Sequence, residues 1–160
     1  MKEIFLENPG VQPYLQGNDY ALQRQLKAEA CTKLIDILDE LKIVPTSMID
    51  ISDGLTSEVL HLSKQSEVGI TIYEDKLPID HTTMNLAKEM KLNPIFCALN
   101  GGEDYELLFT ISQEHYEKIK KDIDFTVIGH VTDKSEGNNF ITKDNTSHLI
   151  TAKGWDPIKK

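Results

Sequence analysis

Met48-Ile49-Asp50-Ile51-Ser52-Asp53-Gly54-Leu55 is the stretch on which the fold turns. Ile49 and Ile51 alternate with Asp50 and Ser52, the period of a half-buried strand. The apolar pair is expected to face a core and the polar pair to face away. Asp53 and Gly54 break the strand, and Leu55, Val59 and Leu62 then open a helical stripe. The reading is a strand that runs directly into a helix, with Asp50 and Ser52 on one face and Asp53 at or beside the helix N-terminus. Two carboxylates and a hydroxyl this close repel one another unless a cation joins them. Hard cations such as Mg²⁺ are held by one or two carboxylates while substrate phosphates complete the shell. A helix N-terminus also offers free N–H groups to phosphate oxygens. A plainer reading makes Ser52 or Asp53 the helix cap, since both residue types are preferred there. A cap does not account for Asp50, an acid inside an apolar strand, where an ionised side chain needs a partner.

Upstream, Leu22, Leu26, Ala30, Leu34 and Leu38 recur every four residues, supported by Cys31, Ile35 and Leu41. That spacing predicts one strong helix. Asp36, Asp39, Glu40 and Lys42 fall mostly off the stripe and are expected on its solvated face, and Pro45 helps to end the helix. Residues 1–18 lack periodicity and carry Pro9, Gly10, Pro13 and Gly17, as a linker or arm would.

Downstream, the helix after Gly54 is expected to reach about Ser66. Residues 68–73 alternate and are β-branched, which predicts a strand. Residues 77–80 form a connection. Residues 82–90 read as a short helix with Met84, Leu86, Ala87 and Met90 as its apolar positions. Asn93-Pro94 interrupts it, and the apolar run 95–99 fits either helix or strand. A strand is expected after Gly101-Gly102, and Ser112 is a candidate cap for a helix that turns Tyr116 and Ile119 inward. Residues 125–131, 139–142 and 148–150 read as further strands, with a polar turn over 133–138. Several neighbouring strands are joined too tightly for parallel crossovers. The class is therefore α+β, with helices layered on a mixed, largely antiparallel sheet.

The chain has 160 residues, enough for one domain with a proper core. Its net charge of −9 repels polyanions, so nonspecific nucleic-acid binding and anionic-membrane binding are not expected. No apolar run approaches a membrane span, and Met1-Lys2-Glu3-Ile4-Phe5 turns polar too quickly for a signal peptide. Cys31 and Cys97 lie apart in apolar contexts and are expected as buried thiols in a reducing cytoplasm.

A second acidic constellation is Gly101-Gly102-Glu103-Asp104. The glycines allow a tight turn or close backbone approach to a ligand, and an acid at the start of a strand can be set against that ligand. The same residues also read as a glycine turn followed by exposed acids. Strand alternation would put Glu103, Tyr105, Leu107 and Phe109 on one face and Asp104 and Glu106 on the other. There is no G-x-x-x-x-G-K-[ST] loop and no G-x-G-x-x-G fingerprint, so phosphate chemistry would rest on metal-bridged carboxylates. The histidines show no metal-binding spacing, and no G-x-S-x-G elbow is present. Trp155, the only tryptophan, either anchors the tail on the core or offers a stacking platform for a flat cationic ring.

Residues 48–55, followed by Ala98-Leu-Asn-Gly-Gly-Glu-Asp-Tyr-Glu-Leu-Leu-Phe-Thr110 and by Lys153-Gly154-Trp155-Asp156, together resemble the thiamine-monophosphate kinase family. Order and spacing agree over essentially the whole chain. The related AIR-synthase-like proteins share the architecture but differ at these motifs. The resemblance implies an α/β/α layered α+β domain, the C-terminal domain of the AIR synthase-related superfamily. Residues 19–160 would form that domain, and 1–18 an arm from a missing N-terminal domain.

The resemblance further implies transfer of the ATP γ-phosphate to thiamine monophosphate, giving thiamine diphosphate, with several Mg²⁺ ions and no phosphoenzyme. Residue by residue it implies that Asp50 and Asp53 are Mg²⁺ ligands and that Ser52 contacts ATP. It implies that Glu103 contacts the thiamine phosphate substrate and that Trp155 lies against it. A cationic thiazolium near Trp155 and Glu103 is chemically sensible, and positioning plus charge neutralisation is what phosphoryl transfer mainly requires.

Members of that family are about twice as long as this chain, which resembles their C-terminal half. The other half is expected to carry further metal-binding aspartates, much of the nucleotide site and most of a homodimer interface. This chain alone is expected to have little or no kinase activity. The competing reading is a free-standing, non-catalytic α+β domain that binds a small phosphate ligand or a partner subunit, with Asp50 as a satisfied structural acid.

Overall fold

The computed structural model describes residues 19–27, 29–103, 105–120 and 125–151. Two short helices come first, α1 (Asp19–Leu26) and α2 (Thr32–Glu40). The fourfold repeat predicts one helix through Ala30, but the chain leaves the helix after Leu26 and re-enters at Thr32. No glycine or proline marks the break. A tertiary contact does: Arg24 pairs with Oε1 of Glu106, and the Cys31 thiol donates to Oε2 of the same carboxylate at 3.4 Å. Helices this short depend on tertiary packing more than on propensity. Asp36, Asp39, Glu40 and Lys42 are solvent-exposed as expected. Ile35 is not buried as expected but 49% exposed, because α2 rests on its core through Leu34 and Leu38 and leaves Ile35 at the rim.

The strand–helix junction forms where the sequence places it. Strand β1 (Ser47–Asp50) is followed by helix α3 (Leu55–Ser66), which ends at Glu67 in the left-handed conformation. Strand β2 (Gly69–Tyr73) comes next, then helix α4 (His81–Glu89), capped by the Asp80 side chain on the Thr82 amide at 2.7 Å. The ambiguous run after Asn93-Pro94 is a helix, α5 (Pro94–Asn100). Asn93 Oδ1 accepts from the amides of Ile95 and Phe96, and Pro94 occupies a first-turn position where its missing N–H costs nothing.

Strand β3 (Leu107–Thr110) leads into a short turn of helix and α6 (Tyr116–Ile119), then β4 (Gly129–Thr132), β5 (Asn138–Ile141) and β6 (Ser147–Leu149). Ser112 stands at the N-cap position, but its hydroxyl bonds the Glu114 carboxylate and not a backbone amide. Ile119 is buried, whereas Tyr116, also expected inward, is exposed, since so short a helix buries one narrow face. The strand expected over 125–131 is shortened, because Phe125 and Val127 pack on one core and Ile128 on another. Both cysteines, expected to be buried, are half-buried free thiols.

Two sheets result among the described residues. Strands β1 and β3 pair antiparallel, with Asp50 opposite Leu107 and Met48 opposite Phe109. The second sheet has the order β4-β2-β5-β6 and is mixed: β2 is antiparallel to β4 and parallel to β5. The α+β class is as expected, with the strands divided between two sheets.

Helix α3 ties the sheets together. Leu55, Val59 and Leu62 join Ile70, Ile72, Phe140 and Ile150 in the main core, against which Ile49, Ile51 and Leu108 pack. Met48 and Phe109, on the other face of the two-stranded sheet, pack against a smaller core of Leu38, Ile43 and Ile119. The Ile49/Ile51 alternation therefore aims at the main core as expected, and Asp50, on the opposite face, is exposed.

Candidate functional site

The two acidic segments meet at the end of the β1–β3 pair. Pairing runs past the regular strands: the Ile51 amide donates to Glu106 O at 2.8 Å, Tyr105 N–H to Ile51 O at 2.9 Å, and Glu103 N–H to Ser52 O at 2.7 Å. Tyr105 and Glu106 thus share one partner, Ile51, and Tyr105 has φ 54°. This is a bulge of the type that usually places glycine at its left-handed position. Glu103 also has positive φ, 64°. The alternation expected through Glu103, Tyr105, Leu107 and Phe109 is therefore broken: it holds only from Leu107 onward, and the bulge re-aims the residues before it.

Gly102 makes the closure sterically possible. A Cβ built there would lie 2.5 Å from Ser52 O and 3.2 Å from the Asp53 carbonyl carbon. Gly54 is the second special glycine. It has φ +121°, and a Cβ would lie 3.0 Å from the Asn100 carbonyl carbon. Thr56 reinforces that contact by donating to Leu99 O at 3.0 Å and Asn100 Oδ1 at 3.3 Å. The start of α3, the end of α5 and the Gly101-Gly102 turn are thereby locked together.

Neither Ser52 nor Asp53 caps α3. The N-cap position is Gly54, with no side-chain cap, and the Asp53 amide instead donates to Oε1 of Glu58 at 3.1 Å. The Asp50 and Asp53 carboxylates are exposed and have no hydrogen bond or ion pair among the described residues. The cap reading is thus gone, and so is the satisfied structural acid at Asp50. Glu103 is exposed beside Ser52, while Trp155 lies outside the described residues.

Two acids of this region, Glu58 and Glu106, carry no site role in the sequence expectations. Glu58 is 2% exposed. It follows Leu55 by three positions and precedes Leu62 by four, so an acid on the apolar stripe was the signal. Glu106 anchors the bulge through Arg24 and Cys31. Partial burial, and next the Glu106 carboxylate, push the Cys31 thiol above its ordinary pKa.

The Asp50 and Asp53 carboxylates, without a partner among the described residues, are hard oxygen donors of the kind that suits Mg²⁺. Among the described residues no third His, Cys, Asp or Glu joins them in a metal-holding group. Asp50 and Asp53 fit an ion whose other ligands are phosphate oxygens, water or residues outside that set. Two hollows of about 320 and about 350 Å³ are lined by other residues, such as Leu62 and Ile111 in one and Leu38 and Val44 in the other. Asp50, Asp53 and Glu103 are instead solvent-exposed. No helix among the described residues is long and apolar enough to cross a membrane.

The family model described as AIR synthase related protein, C-terminal domain, matches residues 14–141. The thiamine-monophosphate kinase of Pyrococcus horikoshii is 38% identical over 120 residues, which cover 75% of this chain and 36% of that protein. That of Bacillus subtilis is 31% identical over 163 residues, covering 98% of this chain and 48% of that protein. A solved structure, AaThiL complexed with AMPPCP and TMP, matches with a TM-score of 0.70 at 30% identity, covering 98% of this chain and 46% of that one. The chain spans less than half the length of each of these relatives. With the matched fold and the joined acidic segments, this chain belongs to the AIR synthase related protein, C-terminal domain family.

Proposed function

We propose that this chain is the C-terminal half of a thiamine-monophosphate kinase, acting in the cytoplasm with an N-terminal half, as a homodimer. The reaction is direct transfer of the ATP γ-phosphate to thiamine monophosphate, giving thiamine diphosphate. The observation that carries this reading is the Glu103–Ser52 hydrogen bond, which brings an acid-hydroxyl-acid segment and a glycine-acid segment to one open face. Its support from comparison is the name of the relatives and the pair of molecules bound in AaThiL.

In this reading Asp50 and Asp53 hold Mg²⁺, which neutralises phosphate charge during transfer. Ser52 donates its hydroxyl to ATP. Glu103 faces the thiamine phosphate substrate, and Trp155 stacks on its cationic ring. Catalysis is then mainly positioning: the Gly102 contact holds the nucleotide-facing and substrate-facing segments in one frame. Two carboxylates are too few to cluster metal around a triphosphate, so the chain alone is inactive.

The test is thiamine diphosphate formation from thiamine monophosphate and Mg-ATP, by this chain alone and by the chain joined to an N-terminal half. Activity in the joined form alone, lost in Asp50→Asn with the unfolding temperature unchanged, is expected. Activity in neither form would favour a non-catalytic phosphate-binding or partner-binding domain.

A further inference from the structure

Glu58 is an acid buried where α3 otherwise presents Leu55, Val59 and Leu62 to the core. It stands on the core face of α3 between Leu55 and Leu62 and is 2% exposed. Among the described residues its carboxylate has one hydrogen bond, accepted by Oε1 from the Asp53 amide at 3.1 Å. Burying a carboxylate carries a large desolvation cost that a single amide only partly offsets, and apolar replacements of buried charges are often neutral or stabilising. Side chains on a helix lean toward its N-terminus, so Glu58 reaches back past Gly54 to the turn that carries Asp53. The N-cap residue of α3, Gly54, has no side chain to hold that turn, so Glu58 is the side chain that reaches it.

We infer that Glu58 is a positioning residue: by holding the Asp53 amide it fixes the direction of the Asp53 carboxylate, and with it the spacing of the Asp50–Asp53 pair. The inference rests on the proposed role of that pair as metal ligands. Groups that orient metal ligands from behind typically alter metal affinity by about 10- to 100-fold when removed.

The probe is Mn²⁺ alone, added to the ¹⁵N-labelled chain while amide signals are followed by NMR. In the parent chain, selective broadening over residues 50–54 is expected. Glu58→Gln keeps an acceptor for the Asp53 amide and should leave the half-broadening concentration close to the parent's. Glu58→Met keeps volume but no acceptor; it should raise that concentration about tenfold or more and speed hydrogen exchange at the Asp53 amide. If Glu58→Met does not fold, Glu58→Asp, whose shorter arm draws the carboxylate back from the amide, should show the same loss. Equal Mn²⁺ response in parent and Glu58→Met or Glu58→Asp, with only the unfolding temperature moved, would make Glu58 purely structural and overturn the inference. No selective broadening in the parent itself would instead overturn the metal reading of Asp50 and Asp53, and the inference with it.

Discussion

The Glu103 amide donates to the Ser52 carbonyl at 2.7 Å, and beneath that bond Gly102 packs its bare Cα against the same carbonyl. Two segments far apart in the chain are in this way joined backbone to backbone. Their relative position is set by main-chain geometry.

Gly102→Ala should force that junction apart. The added methyl would sit 2.5 Å from Ser52 O, where no flexible side-chain end can yield. Overpacking of this kind costs about 1–3 kcal/mol. Urea unfolding should show the loss, and the Glu103 amide should lose its exchange protection. An unchanged midpoint with a protected amide would mean that the contact is looser than described.

Cys31 should react slowly with iodoacetamide at neutral pH. Its pKa is raised first by partial burial and then by the Glu106 carboxylate, so less thiolate is present than at an ordinary thiol. Glu106→Gln removes the negative charge and should speed labelling of Cys31. Mass spectrometry of the labelled peptides measures this directly, and slower labelling in the variant would contradict the assigned cause.

Asn93→Ala should destabilise the chain by about 1 kcal/mol, the usual loss for a side-chain cap, because Asn93 Oδ1 holds the amides of both Ile95 and Phe96. Asn93→Asp keeps the acceptor and should retain most of the stability. Thermal unfolding of the three proteins gives the comparison. The effect should reach the acidic face, since α5 ends on the Asn100 contact with Gly54.

Acid should loosen the start of α4. The Thr82 backbone amide, bonded to the Asp80 carboxylate, holds that acid below the ordinary aspartate range. A depressed folded-state pKa gives stability that is present above the unfolded pKa and is lost as pH falls through the folded one. Carbon NMR titration of Asp80 should therefore show a midpoint below that of a free aspartate, and Thr82→Pro, which removes the amide, should return it toward the ordinary value. Asp133, held by Ser135, and Asp144, held first by the Thr142 hydroxyl, are lowered in the same direction.

Much of the local structure was legible in the sequence. Ile49 and Ile51 announced their face through period two, and Leu55, Val59 and Leu62 announced theirs through helical spacing. Asn93-Pro94 carried a cap and a first-turn proline that identify α5 as a helix once the cap is read. The leucine repeat from 22 to 38 misled, because periodicity reports which residues would share a face if a helix formed. It does not report that Arg24 and Cys31 are drawn to one carboxylate across a break. Alternation after Gly102 failed for a related reason: a left-handed residue at Tyr105 resets the phase of a strand.

The sequence by itself determined the α+β class, the strand–helix junction at Gly54 and the acids that flank it, since these follow from short-range periods and turn chemistry. Only the tertiary structure decided that Ser52 meets Glu103, that the Asp50 and Asp53 side chains have no partner among the described residues, and that the amide Glu58 holds is that of Asp53. Those outcomes depend on which distant backbones approach within hydrogen-bond reach. That is settled by packing α3 between two sheets and by the missing methyl at Gly102, and no local pattern in the chain encodes it.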